Sequence, residues 1–363
     1  MTKVINTNKT HVVHFIPTLN FGGAEKFVLS LVKSMSKKYI RQSIVIFWDE
    51  KPLAVQLPKH ISCTLIPFKD IPYYKRRSVI AKHLQDVHAD VIHTHLFSAD
   101  LWGRLAAKTC GLPIITTEHN VNISEPKIFR VVKRLMKRYS DVYTAPSEAV
   151  SRYMQKKYKI KAASIKMIRH GIDLEAFDVK RGAGMYSPYS LAIVGRVTEQ
   201  KGHYLLLEAL TYIRNLEYEL IITGDGDQKE TLQNYAKELK VDDRIEWVDF
   251  THDVAGVYAD ADIVIVPSLW EGLGLVALEA MATGRLVIAA NVDGLREIIE
   301  HNKTGILFQR KEPRDLAQKI RQALQHRKES LMIAKNGKRW VQEHADVTQM
   351  VKAYEELYLS LKK

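Results

Sequence analysis

The feature that most constrains this chain is an alternation of short apolar runs with helical patterns, which passes through it twice. Segments of four to seven residues rich in apolar side chains, too short for helices, end in turns rich in glycine or polar residues. Segments with apolar residues at three- and four-residue spacing follow them. In the first half the strand-like runs are residues 11–17, 43–47, 91–94, 114–117 and 142–145, with helices expected after Gly22-Gly23 and after Ser98. The pattern restarts with residues 191–194, 219–223, 245–248, 263–266 and 287–290. Apolar strands separated by helices form parallel sheets covered on both faces, so the fold class is α/β with two doubly wound domains. The seam is expected between residues 177 and 190, where Lys180-Arg181-Gly182-Ala183-Gly184 and Ser187-Pro188 break the periodicity. This gives an N-terminal domain over residues 1–180 and a C-terminal domain over 181–345. Residues 346–363 read as a closing helix, with Val351, Tyr354, Leu357 and Leu361 at helical spacing, free to return to the N-terminal domain.

The length of 363 residues suits two cores of ordinary size, and 46% hydrophobic with 26% charged residues excludes disordered and collagen-like classes. No apolar run reaches a bilayer span, and residues 1–10 carry no apolar core of a signal peptide. A cytoplasmic location is therefore expected. Cys63 and Cys110 have neither disulfide nor metal spacing and read as small core residues. Charge is lopsided: residues 1–180 hold 30 Lys and Arg against 14 Asp and Glu, while residues 181–363 hold 24 against 27. The basic half implies an anionic partner, such as membrane headgroups, nucleic acid or a phosphorylated acceptor. Its basic residues do not interleave with aromatics as in nucleic-acid modules, so nucleic acid is not expected.

Open parallel sheets bind ligands beyond the C-terminal ends of their strands, and two such domains facing each other would form a cleft lined by these loops. The densest motif lies there: Pro267-Ser-Leu-Trp-Glu271-Gly272-Leu273-Gly274-Leu275, with Glu279 eight positions after Glu271. Free amides where a helix opens near Leu275 suit an anion, and glycines let a diphosphate approach the backbone. The two glutamates are too far apart to share one proton, which suits two separate hydroxyl-binding carboxylates. Gly195-Arg196 and Lys201-Gly202 follow the first strand of the second half. An arginine fork with a lysine can neutralise a departing diphosphate without a metal. Gly224 ends the next strand in Thr223-Gly224-Asp225-Gly226 and leaves room for a nucleoside. In the first half, Gly22-Gly23 lies between strand and helix, and His119 follows the strand 114–117. His93 and His95 could suggest a metal pair, but no carboxylate or cysteine follows at ligand spacing, and both read as mainly structural. Asp260-Ala-Asp262 precedes its strand and reads as a connection. No metal site and no cofactor are expected.

Taken together, these residues resemble the retaining glycosyltransferases of family 4, the group 1 enzymes, whose GT-B architecture sets two Rossmann-like domains face to face across a central cleft. The resemblance covers nearly the whole chain. It rests on Glu271 and Glu279 with Gly272 and Gly274, on Gly195-Arg196 with Lys201-Gly202, on Gly22-Gly23, and on His170-Gly171-Ile172-Asp173. It implies an N-terminal acceptor-binding domain and a C-terminal domain for the nucleotide sugar. Arg196 and Lys201 would hold the diphosphate and Glu279 the ribose, with Glu271 and the amides of residues 272–274 on the transferred sugar. Gly23 would face the diphosphate and His119 a sugar hydroxyl. The implied reaction is metal-independent transfer of a hexose from a UDP- or GDP-sugar, with retention, the leaving diphosphate taking the acceptor proton. Two departures concern finer donor or acceptor details: Asp293-Gly294 ahead of Glu297 where relatives carry Gly-Gly, and His170 where relatives often carry Asn.

A lipid-linked or glycan acceptor is expected, as in glycolipid, lipopolysaccharide or surface-polysaccharide assembly. Residues 127–139 place six cations among Ile128, Val131, Val132, Leu135, Met136 and Tyr139, a pattern suited to the inner face of the cytoplasmic membrane; Lys75-Arg76-Arg77 would be a second contact. The alternatives are a nucleotide-sugar epimerase of similar fold, a phosphorylase, and a non-catalytic binder of anionic polymers. The chain is too short for a phosphorylase, and the cation and glutamate set argues against an epimerase.

Overall fold

Strands covered on both faces must be apolar almost throughout, and the chain supplies such segments in two sets. The computed structural model describes residues 9–179, 188–251 and 253–362. It divides into two units, one of Met1–Gly171 with Val347–Lys363 and one of Ile172–Asp346. Most of the glycine- and lysine-rich stretch expected to hold the seam, residues 180–187, lies outside the described residues, as does most of the N-terminal stretch 1–10.

In the first unit, β1 (Thr10–Phe15), β2 (Ile40–Ile46), β3 (Ser62–Leu65), β4 (Val91–His95), β5 (Ile114–Thr117), β6 (Val142–Ala145) and β7 (Ile165–Met167) form one parallel sheet. Its order is β3-β2-β1-β4-β5-β6-β7. The register sets His14 of β1 beside His93 of β4, and His95 beside Thr117 of β5. The connecting helices are α1 (Gly23–Ser34), α2 (Arg76–Asp86), α3 (Phe97–Cys110), α4 (Lys127–Leu135) and α5 (Glu148–Tyr153). The chain's last helix, Val347–Leu361, belongs to this unit and buries Met350, Val351, Tyr354, Leu357 and Tyr358 against Phe27, Val28 and Leu31 of α1. Its buried hydroxyls are satisfied: Tyr354 donates to Thr144 Oγ1 at 3.0 Å, and Tyr358 pairs with His93 Nδ1 at 2.7 Å.

The second unit repeats the plan. Strands β8 (Tyr189–Val194), β9 (Tyr218–Thr223), β10 (Ile245–Val248), β11 (Ile263–Val266), β12 (Leu286–Ala290) and β13 (Ile306–Phe308) lie in the parallel order β10-β9-β8-β11-β12-β13. Helices α6 (His203–Thr211), α7 (Lys229–Glu238), α8 (Val254–Asp260), α9 (Leu275–Ala282), α10 (Asp293–Arg296), α11 (Pro313–Gln325) and α12 (Arg327–His344) complete it. In each sheet the order reverses beside the unit's first strand, at β1/β4 and at β8/β11. A doubly wound sheet opens its ligand crevice at such a point. Among the described residues, no helix is long and apolar enough to cross a membrane.

Three strands went unread in the sequence, β3, β7 and β13. They are three or four residues long and lie at sheet edges. Asp262 precedes β11, and its carboxylate accepts from Ser190 N at 3.0 Å, which fixes the start of β8.

Candidate active site

In the second unit two loops leave the sheet side by side at the switch point, residues 195–202 after β8 and 267–274 after β11. Leu269 N donates to Gln200 O at 2.8 Å, and Gln200 Nε2 donates to Trp270 O at 3.0 Å. Lys201 Nζ lies 2.6 Å from Glu271 Oε1, and Ser268 Oγ donates to the same oxygen at 2.8 Å. Two close backbone approaches require glycine. Gly202, at φ 65°, lies where any Cβ would strike the Pro267 carbonyl. Gly224 follows β9 at φ 144°, against the Gly195 carbonyl. A lysine, a buried carboxylate and glycine backbone are thereby held on one rigid end of the sheet. Arg196 is exposed on the same loop, and its guanidinium makes no ion pair among the described residues.

Beyond Gly272 and Leu273, Gly274 at φ 95° precedes α9, whose first turn begins at Leu275. The amides of that turn have no partner within the helix and carry the positive end of its dipole, a setting suited to an anion. Glu279, one face along α9, is buried and accepts from the Tyr258 hydroxyl at 2.8 Å. Burial and the adjacent carboxylate push the Tyr258 phenol well above its ordinary range, so it stays a donor. His203, at the start of α6, is also buried, and both its ring nitrogens lack a partner. Burial, with the charge of Lys201, lowers its pKa to about 3 and keeps it neutral.

In the first unit, Gly22 and Gly23 carry the turn from β1 into α1, and the Glu25 carboxylate folds back against Gly22. His119 follows β5 and is half-buried beside His95 and His170, with the ring of Phe27 edge-on to it and stacked on His170 at 4.2 Å. Nitrogens of His14, His93 and His95 come within 4.8 Å of one another, a spacing at which a metal could be held. Both nitrogens of His93 are already engaged, by Tyr358 at 2.7 Å and Thr117 Oγ1 at 2.6 Å.

The basic segment 127–139 departs from the expected pattern. Lys133 is not on the outer face: it is buried, with Nζ 2.8 Å from both Glu118 Oε2 and Glu125 Oε1. Val132 and Met136 turn inward, while Ile128, Val131 and Leu135 are 61%, 48% and 70% exposed. The reason is the local ion-pair demand. Glu118 and Glu125 need a buried cation, and satisfying them rotates the helix so that part of its apolar stripe faces outward.

Known proteins carry the same two halves. The family model described as Glycosyl transferases group 1 matches residues 186–340, and that described as Glycosyltransferase Family 4 matches residues 21–176. The chain belongs to the group 1 glycosyltransferases. An uncharacterised glycosyltransferase of Methanocaldococcus jannaschii is 28% identical over 250 residues, 63% of this chain and 64% of that one. The UDP-Gal:alpha-D-GlcNAc-diphosphoundecaprenol alpha-1,3-galactosyltransferase of Escherichia coli is 26% identical over 63% of this chain and 64% of its own. The chain thus spans just under two thirds of each of these relatives. The crystal structure of Anabaena HepE with UDP and glucose is 22% identical, covers 96% of this chain and 99% of its own, and has a TM-score of 0.87, which shows the fold.

In this chain, Gly195, Lys201, Gly224, Glu271, Gly272, Leu273, Gly274, Leu275 and Glu279 all lie at the C-terminal ends of β8, β9 and β11 or on α9, with Arg196 on their rim. Gly22, Gly23 and His119 lie after β1 and β5 of the other unit. Sequence reasoning missed Tyr258, Ser268, His203 and the partners of His119. Ser268 lies within the 267–275 motif and His203 directly follows the Lys201-Gly202 turn, whereas Tyr258 carried no local signal.

Proposed function

We propose that this glycosyltransferase moves a hexose from a nucleoside diphosphate, a UDP- or GDP-sugar, to an acceptor with retention at the anomeric carbon and without a metal. The observation that carries the reading is the Lys201–Glu271 pair, 2.6 Å apart beside the opening turn of α9, with exposed Arg196 on the same loop. Two cations and a set of helix amides are what a departing diphosphate requires. Arg196 and Lys201 are assigned to the diphosphate, Glu279 to the ribose, and Glu271 with the amides of residues 272–274 to the sugar. Gly224 is assigned to passage of the nucleoside, Gly22 and Gly23 to a phosphate oxygen, and His119 to a sugar hydroxyl. Glu271 is held by Lys201 and Ser268, and Glu279 by Tyr258. Neither is disposed as a free general base, which favours the leaving phosphate as acceptor of the proton.

The acceptor is proposed to be lipid-linked or a glycan, in polysaccharide or glycolipid assembly at the inner face of a cytoplasmic membrane. The name of the Escherichia coli relative contains a diphosphoundecaprenol acceptor, and α4 turns Ile128, Val131 and Leu135 outward beside exposed Lys127, Arg134 and Arg138. An outward apolar stripe flanked by cations suits an anionic bilayer. The domain roles follow: acceptor in the first unit, nucleotide sugar in the second. Melting the protein with a panel of UDP-, GDP- and ADP-sugars, with and without EDTA, tests the donor reading. One sugar nucleotide should raise the melting temperature regardless of chelator. No response to any of them, or a response that EDTA removes, would defeat it.

A further inference from the structure

Three histidines of the first unit are joined end to end. Gln42 Oε1 lies 3.0 Å from His14 Nε2, His14 Nδ1 lies 3.4 Å from His95 Nε2, and His95 Nδ1 lies 3.1 Å from His119 Nε2. The chain stops at His119 Nδ1, which is buried and has no partner. The His14 and His95 rings are inclined by only 16°, so their shared contact runs edge to edge within a common plane.

We infer that Gln42, His14 and His95 form a directional relay that fixes the tautomer of His119, leaving its Nδ1 as a bare hydrogen-bond acceptor aimed at a ligand hydroxyl. The direction follows from counting protons. A neutral imidazole carries one N–H and one lone pair. Gln42 Oε1 can only accept, so His14 carries its proton on Nε2 and offers a lone pair at Nδ1. That lone pair requires Nε2–H on His95, whose bare Nδ1 in turn requires Nε2–H on His119. The rings are neutral because burial lowers the pKa of His14 to about 4 and of His119 to about 3, and that of His95 well below its ordinary value. A bare acceptor repels phosphate oxygens and pairs with a hydroxyl, so the relay selects the kind of group that can settle at His119. Gln42, His14 and His95 are positioning residues that touch no ligand themselves. The hydroxyl being that of a sugar rests on the function proposed above.

Long-range proton–nitrogen NMR spectra of histidine-labelled protein at pH 7.5 read the tautomers without any ligand. His14, His95 and His119 should all show the Nε2–H form, assigned by single His→Gln variants. Gln42→Glu, which keeps an acceptor, should preserve the pattern. Gln42→Leu should leave His119 as a tautomer mixture and lower kcat/KM for the donor about fivefold, the scale of one ordinary hydrogen bond. His119 found as the Nδ1–H form in the wild type, or an unchanged tautomer in Gln42→Leu, would overturn the relay. So would a stoichiometric metal ion held by His14 and His95 in the purified protein. Should Gln42→Leu fail to fold, the wild-type spectrum still decides. A wild-type spectrum with all three Nε2–H forms, in a protein that binds no nucleotide sugar, would uphold the relay while defeating the sugar reading.

Discussion

Arg196 and Lys201 occupy one loop and are proposed to grip one diphosphate, yet their surroundings predict different consequences of removal. Arg196 is exposed and supports no other residue, so Arg196→Ala should lower kcat while leaving the melting temperature unchanged. Loss of one contact to developing charge costs roughly 2.7–4 kcal/mol, about a hundred- to a thousandfold in rate. Lys201 neutralises a buried carboxylate. Lys201→Ala should cost a similar factor in rate and also lower the melting temperature, because Glu271 is left buried without its cation. Equal melting temperatures for the two variants would refute this division. Tyr258 provides a third test. Its hydroxyl holds Glu279 Oε2 at 2.8 Å, so Tyr258→Phe should weaken UDP or GDP binding about fivefold without touching the sugar site. Calorimetric titration of the free nucleotide checks it, and undiminished affinity would separate Glu279 from the ribose.

At the scale of elements, the glycine and charge motifs were legible because each follows its strand directly, where strand, turn and helix signals abut in the sequence. The relay was not, since Gln42 and His14 are 28 residues apart and His14 and His95 are 81 apart. Only the order β2-β1-β4-β5 brings them together, and strand order leaves no local trace. Helix α4 shows a subtler limit. Its periodicity announced an amphipathic helix, but which face lies inward is decided by Glu118 and Glu125, on the segment preceding it, through Lys133. This yields opposite predictions for neighbouring cations. Replacing Ile128, Val131 and Leu135 by Ser should abolish co-sedimentation with anionic liposomes at unchanged stability. Replacing Arg134 and Arg138 by Gln should weaken it by about 1 kcal/mol per residue. Lys133→Met should instead destabilise the first unit by about 3–5 kcal/mol, since two buried carboxylates lose their shared cation. Liposome binding that survives the triple Ser variant would remove α4 from the membrane.

Across the whole molecule, the buried histidines set the response to acid. His11, His14, His93, His95, His119 and His170 in the first unit, and His203 in the second, all have pKa values lowered by burial, to about 4 for His11 and His14 and about 3 for His119 and His203. The unfolded chain, with histidines near 6.5, binds protons that the folded chain excludes. Stability is therefore fully present above pH 6.5 and is lost as pH falls towards 4. Each of these six groups in the first unit therefore pulls in the same direction, favouring the unfolded chain as the pH falls below 6.5. Asp100 acts in the opposite sense: burial raises its carboxyl to about 6, so the folded state takes up its proton early and gains stability as pH falls. One such group cannot offset six. The melting temperature of the first unit should fall as the pH drops below 6.5, before ordinary carboxylates titrate, and its unfolding at pH 6 should take up protons. Scanning calorimetry from pH 8 to 5 in buffers of differing ionisation enthalpy measures both quantities. A melting temperature at pH 5.5 equal to that at pH 7.5, or unfolding without proton uptake, would show that these imidazoles are not held neutral by the fold.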